Sequence, residues 1–435
     1  MELRDMLVAA RSAAFGLAGL SGPGRSTVLA DFAAALSDPA TVKTVLEANA
    51  KDMALAKDEE KAGRLSPAIV KRLSLDEKKI ATTVDGIQQL CRMPELVGRN
   101  LTHRVLDHGL ILQRVSCPLG LLGVVFEARP DALVQITSLA WKSGNAVVLK
   151  GGREARESNR ALCAVAHRVL AKNNIDPGVM VLLEERSEVD ALLGMHDLVE
   201  MIIARGSSQF IRHVRANSRI PVMAHADGIC HVYLHGSADP AIAAKVLVDS
   251  KCSYPAACNA VETLLWDKDA GPALDACVAA LSAQKVELRG CPETLTRHPT
   301  MKPASEADWA TEYGELILSI KQVPGMAQAL SHIATYGSRH TDAIVAQDPQ
   351  VAAGFMASVD SACVFHNAST RFSDGYRFGL GAEVGISTDK LHARGPVGVE
   401  GLLTYRWLLH GRGQATTDYS PDGRHYIHKD LPTQS

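Results

Sequence analysis

Nine cysteines stand at positions 91, 117, 163, 230, 252, 258, 277, 291 and 363 of the 435-residue chain, and no two are spaced as CxxC. An odd count without ligand spacing points to reduced thiols in a cytosol-like compartment, not to a disulfide framework or a structural zinc site. A thiolate is a strong nucleophile, and one of the nine is mounted for that use. Cys258 lies in Pro255-Ala256-Ala257-Cys258-Asn259-Ala260, a loop of small residues ahead of the predicted strand Val261–Leu265. Small neighbours let a substrate reach the sulfur, and a loop leading into a buried strand is a rigid mount. The loop by itself does not select Cys258 over Cys252 or Cys230, and an inert core thiol is the alternative at each. A second candidate is Arg205-Gly206-Ser207-Ser208, between the apolar run Met201–Ala204 and a helical stretch. Free amides and the helix dipole favour a phosphate there, and Ser207 or Ser208 can cap the helix. An ordinary capped turn fits the same residues, and the GxGxxG fingerprint follows none of the strands. Lys150, closing the run Ala146–Leu149, is placed either for a ribose or phosphate contact or for solvent.

The elements that must position these residues read as an α/β protein. At 435 residues the chain exceeds the size at which one core stops growing, so two or more domains are expected. Hydrophobic residues make up 46%, charged residues 22% and aromatics only 5%, which suits helices on a sheet better than an all-β sandwich. A net charge of −2 and the lack of a basic tract give no general attraction to nucleic acid or an anionic membrane. No run of 18 apolar residues appears, so no membrane span is expected. Arg4 and Arg11 sit among apolar residues as in a transit peptide, but Glu2 and Asp5 interrupt the pattern, and no targeting role is expected.

Residues 1 to about 95 show helical spacing, with Ser66-Pro67 reading as a helix start. From about 110 the period changes. An extended stretch at 110–115 precedes an apolar run at 121–126, and from there runs at 146–150, 179–183, 201–204 and 220–223 alternate with helical stretches. A second series follows at 231–234, 261–265, 316–320 and 342–346. Unalternating strands between helices predict parallel sheets covered on both faces, hence two α/β lobes. The polar segment from Asp418 to Ser435, with a turn at Pro421-Asp422-Gly423, reads as a peripheral tail.

Taken together, the chain resembles the gamma-glutamyl phosphate reductase family of the aldehyde-dehydrogenase superfamily, from Ala48-Asn49-Ala50-Lys51-Asp52 to about Trp407. The blocks that carry the resemblance are Cys117-Pro118-Leu119-Gly120 leading into Phe126-Glu127-Ala128-Arg129-Pro130, then Ser143-Gly144-Asn145 before Lys150-Gly151-Gly152. His225-Ala226-Asp227-Gly228-Ile229-Cys230-His231 and the Cys258 loop follow. Downstream come Thr311-Glu312-Tyr313, Tyr336-Gly337-Ser338-Arg339-His340-Thr341 and Gly395-Pro396-Val397-Gly398. The wording is especially similar to the reductase half of the bifunctional pyrroline-5-carboxylate synthases. With no kinase half in the sequence, a free-standing reductase is expected.

The resemblance implies an aldehyde-dehydrogenase-like fold of two parallel-sheet lobes plus a small β oligomerisation arm. Residues 1–104 and 118–226, with part of 385–405, would form the cofactor domain, and 227–384 the catalytic domain. Residues 105–117 and 406–435 would form the arm and tail, pairing across a homodimer. It also implies that Cys258 attacks the acyl phosphate of gamma-glutamyl phosphate and expels phosphate. NADPH would then reduce the thioester to glutamate-5-semialdehyde, on the route to proline. Lys150, Arg205, Gly206, Ser207 and Glu312 fall at cofactor positions, with Arg205 a possible partner of the 2′-phosphate. Asn145, Arg339 and His340 would meet the substrate, and Asp227 its ammonium. The Cys258 amide would donate to the oxyanion. A glutamate 5-kinase would supply the substrate, and functional coupling to it is an expectation.

Two departures from ordinary aldehyde dehydrogenases sharpen this reading. Their hydrolytic glutamate is replaced by His225, which suits an enzyme that must reduce its thioester. Their oxyanion-holding asparagine is replaced by Arg129, which can grip phosphate oxygens bidentately or, alternatively, pair with Glu127 or another carboxylate. The competing readings are a non-phosphorylating semialdehyde dehydrogenase using NAD, disfavoured by the missing glutamate, and a silent scaffold, disfavoured by the intact Cys258 loop.

Overall fold

The computed structural model describes residues 2–420 and 423–433. Five helices, Leu3–Ala18, Gly22–Ser37, Pro39–Lys61, Pro67–Leu73 and Glu77–Arg92, open the chain. Their starts are written locally: Ser21, Asp38, Ser66 and Asp76 accept the amides of Gly24, Thr41, Ile69 and Lys79. These caps satisfy donors that a helix leaves open, and the helix expected at Ser66-Pro67 is among them. Leu7, Ala10, Ala14 and Leu17 form a buried stripe that shares one core with the first sheet.

That sheet has five parallel strands in the order Met180–Leu183, Ala146–Lys150, Leu121–Phe126, Met201–Arg205, Val222–Met223. The first three to appear in the chain run one way across the sheet, and the last two run the other way. The order therefore reverses between Leu121–Phe126 and Met201–Arg205, opening a crevice outside their carboxyl ends, where ligands of open α/β sheets bind.

The second sheet has seven parallel strands in the order Lys302–Pro303, Glu287–Gly290, Ile317–Val323, Val261–Asp267, Cys230–Leu234, Thr341–Val345, Cys363–His366. Glu287–Gly290 and Cys363–His366 were not anticipated. Each is four residues long, and Glu287-Leu288-Arg289-Gly290 mixes charge with one apolar residue, so the ladder comes from neighbours and not from local pattern.

A third, antiparallel sheet joins Leu403–His410, Leu110–Pro118, Asn100–Asp107 and Lys429–Leu431. It begins at Asn100, five residues before the expected arm. The segment expected as a peripheral tail is instead integral to this sheet, because Lys429–Leu431 pairs with His103–Val105. Pro421 and Asp422, two residues of the expected turn, lie outside the described residues. Tyr405, Trp407 and Leu409 project from edge strand Leu403–His410, each at least half exposed. Among the described residues no helix is long and apolar enough to cross a membrane.

Candidate active site

The crevice of the first sheet opens onto the second sheet, and together they enclose a cleft of about 660 Å³. Glu127, Ala128, Arg129, Arg205, Gly206, Ser207 and Ser208 line it from the carboxyl edge of the first sheet. Cys258, Asn259 and Glu312 line it from the second, with His225, Arg371 and Glu383. An apolar groove of similar size between the N-terminal helices is lined by neither cysteine nor histidine.

Cys258 sits at the amino end of strand Val261–Asp267 and is partly buried. Its loop is clamped from both sides. Asn259 Nδ2 donates to the Ser373 carbonyl at 2.9 Å, and the Cys230 thiol donates to the Cys258 carbonyl at 3.4 Å. Gly228 lies flat against the same backbone, and a Cβ there would come within 2.5 Å of Cys258 Cα. Burial pushes the Cys258 thiol up to about 12, helped by Glu383 and Glu312 and opposed by Arg205 and Arg371. The sulfur is thus a thiol near neutral pH and needs a base to become the nucleophile.

His340 meets it. Its Nε2 is 3.2 Å from Cys258 Sγ, and its Nδ1 is 2.8 Å from Thr341 Oγ1. Thr341 Oγ1 is 2.7 Å from Ser373 Oγ, which donates to the Thr370 carbonyl at 3.3 Å. A carbonyl only accepts, so the chain has one direction: Ser373 donates to Thr370, Thr341 to Ser373, and His340 Nδ1–H to Thr341. Nε2 therefore keeps its lone pair toward the thiol. His225 is second to arrive, its ring edge-on to His340 with centroids 5.4 Å apart. Its Nδ1 lies 3.4 Å from the Ile386 carbonyl, which takes the N–H there and leaves its Nε2 free as well. Burial lowers His225 to about 4, and burial with His225 alongside lowers His340 to about 3, so both rings are neutral.

Comparison with known proteins decides the family. The aldehyde dehydrogenase family model matches residues 4–294. The gamma-glutamyl phosphate reductase of a Cyanothece species is 49% identical over 99% of this chain and 98% of its own length. That of Ruminiclostridium cellulolyticum is 48% identical over 100% of this chain and 99% of its own. The chain belongs to the gamma-glutamyl phosphate reductase family. It is therefore an oxidoreductase of the aldehyde-dehydrogenase fold. The crystal structure of the Thermotoga maritima reductase agrees, with a TM-score of 0.91 at 34% identity, covering 95% of this chain and 100% of that one.

Within this reductase-family fold, the residues singled out from sequence separate into those at the cleft and those away from it. Cys258, Arg129, Arg205, Gly206, Ser207 and Glu312 line it. Arg129 does not pair with Glu127, whose carboxylate instead accepts the Ser207 amide at 2.9 Å. Arg205 lines the cleft with Arg129 and Glu383 near it, and its Nη1 is buried without a partner. His340 is brought against the nucleophile, not merely the substrate. Lys150 caps its strand with Nζ donating to the Gly151 carbonyl at 2.6 Å, and burial lowers its pKa.

Asn145 is not a cleft residue. It is fully buried, accepting the Gly120 amide at 2.7 Å and donating to Ser143 and to the Leu402 carbonyl at 2.8 Å, so it ties the first sheet to the antiparallel one. Arg339 is exposed at a left-handed turn (φ 61°) and contributes its carbonyl to the Ala362 amide. Asp227 stands at the margin, its carboxylate taken by Ser208 at 2.6 Å and Arg212 at 3.5 Å. Arg371 and Glu383 were missed. They lie after the last parallel strand, Arg371 in the short 3-10 turn Thr370–Phe372 and Glu383 in irregular chain, where no periodicity or motif marks them.

Proposed function

We propose that this chain reduces gamma-glutamyl phosphate to glutamate-5-semialdehyde and phosphate with NADPH, through a thioester on Cys258. The observation that carries the reading is the Cys258–His340 contact at the floor of a cleft that Arg129, Arg205 and Arg371 also line. Arginines suit an acyl phosphate, whose oxygens they bind bidentately. As Cys258 attacks the acyl carbon, its proton passes to His340 Nε2, and the C–O bond to phosphate breaks. The proton then leaves with the phosphate. The loop amide of Cys258 faces the developing oxyanion in this reading.

The nicotinamide cofactor, when bound, supplies the hydride that reduces the thioester. The residues present fit such a group. The Ser207 amide at a helix start already holds an anion, the Glu127 carboxylate, as a pyrophosphate would be held. Lys150 ends the neighbouring strand, and Glu312 lines the cleft on the catalytic side.

The same reading takes the antiparallel sheet as the dimer contact. Leu403–His410 is an eight-residue edge strand with an exposed aromatic row, a surface that proteins normally cover. One assay tests the reaction: reduction of NADP by glutamate-5-semialdehyde must require phosphate. Phosphate-independent turnover would favour the non-phosphorylating alternative, and no turnover would overturn the enzyme reading.

A further inference from the structure

Three separate segments of the chain deliver a thiol and two imidazoles to one point. Cys258 Sγ, a ring nitrogen of His225 and a ring nitrogen of His340 lie within 4.8 Å of one another. The surrounding hydrogen bonds leave both Nε2 atoms as bare lone pairs, since each Nδ1–H is directed to a protein acceptor. That is how metal-ligating histidines are oriented, by an outer partner that fixes the tautomer. One thiolate and two neutral imidazoles form a donor set for the softer divalent ions, Zn²⁺ above all. Ligands on a tetrahedral zinc with bonds of about 2.0–2.3 Å stand roughly 3.3–3.8 Å apart. The Cys258–His340 separation of 3.2 Å is already close to that, and the widest separation needs a shift of only about 1 Å. Glu312 and Glu383 lie near the sulfur and offset Arg205 and Arg371, so the local field does not exclude a cation. Cys258 and His225 line the cleft, so the group is reached from it.

We propose that Cys258, His225 and His340 capture one thiophilic divalent cation, with Zn²⁺ the natural occupant, and that capture reversibly closes the catalytic cleft. Binding forms one S–Zn and two N–Zn bonds and releases the Cys258 thiol proton to solvent. No electron is transferred. The site goes beyond the reaction proposed above and does not depend on which acyl group Cys258 attacks.

The test uses the metal-free full-length protein titrated with Co²⁺ and followed by absorption. A thiolate-to-cobalt charge-transfer band should saturate at one equivalent and disappear when Zn²⁺ is added. Cys258→Ser should lose the band, and so should wild-type protein alkylated at Cys258, which removes dependence on how the variant folds. His225→Asn and His340→Asn should each weaken Zn²⁺ binding by more than about 100-fold, as loss of a ligand should exceed the 10–100-fold typical of an outer partner. Zn²⁺ should also inhibit turnover and be reversed by a chelator. Absence of the band in wild type, its survival after alkylation, or unchanged Zn²⁺ affinity in both histidine variants would overturn the proposal. Because the spectrum needs no turnover, it stands apart from any failure of the reaction assay.

Discussion

The two large sheets are both parallel and both change direction across a switch point, yet they meet the cleft by opposite edges. The first presents carboxyl ends, at Phe126 and Arg205; the second presents amino ends, at Cys258 before Val261 and His340 before Thr341. A carboxyl edge feeds into helix starts, so it offers free amides and a dipole suited to anions. An amino edge has no such dipole. Its side chains are instead held by the strands that follow and by buried bonds such as Thr341–Ser373 and Asn259–Ser373. One edge is built to hold a charged ligand and the other to fix reacting atoms.

The largest effect that sharpens this contrast is Cys258→Ala, expected to reduce turnover by at least about 10⁴-fold while the melting temperature stays nearly unchanged. Retained activity would sink the nucleophile assignment. Next comes a matched pair of glycines, one on each edge. Gly228→Ala forces a Cβ onto the Cys258 backbone, which cannot swing away, and should lower kcat by about 10²-fold. Gly206→Ala meets only the end of the Glu127 side chain, 2.8 Å away, and the Phe210 ring, and should change the cofactor KM a few-fold. Equal losses in the two variants would break the contrast between a rigid edge and a yielding one.

Arg129→Ala should lower kcat/KM for the acyl phosphate by roughly 10–100-fold, the worth of a charge-assisted contact. Unchanged use of acyl phosphate would remove Arg129 from the site. Glu127→Gln should tighten cofactor binding by about two- to five-fold, since it weakens an internal anion at the Ser207 amide. Calorimetric titration showing equal or weaker binding would rule out that competition.

The smallest effect concerns pH and the catalytic lobe. His332 is buried with Nε2 unpartnered, and burial, with His231 and Lys321 nearby, lowers it to about 3. The unfolded chain takes up its proton near 6.5, so the contribution is complete above that pH and is lost as pH falls toward the folded value. Thermal melts of His332→Leu between pH 6.5 and 4 should decline less steeply than wild type. Parallel slopes would exclude His332 as a source of acid lability.

Much of the frame is written locally. Apolar runs without alternation demand sheets buried on both faces, and Ser or Asp followed by Pro starts helices at Asp38, Ser66, Asp239 and Asp348. Glu287–Gly290 and Cys363–His366 were not legible, because their pairing is supplied by neighbours distant in sequence. The family blocks led to Cys258 and Arg129, while Asn145 in the same blocks proved to be a tie between sheets. A polar residue in a family block marks a requirement, but not whether that requirement is chemical or architectural.

By itself, then, the sequence determined the α/β class and the two parallel sheets and singled out Cys258 as the candidate nucleophile, because periodicity and ordered motifs are properties of short stretches. Only the tertiary structure decided that His225 and His340, 115 residues apart, close on the Cys258 thiol, and that Arg205 and Arg371 line the same cleft. The cause is topological. The site is assembled where the edges of two sheets meet, so its members are neighbours only after both sheets have formed.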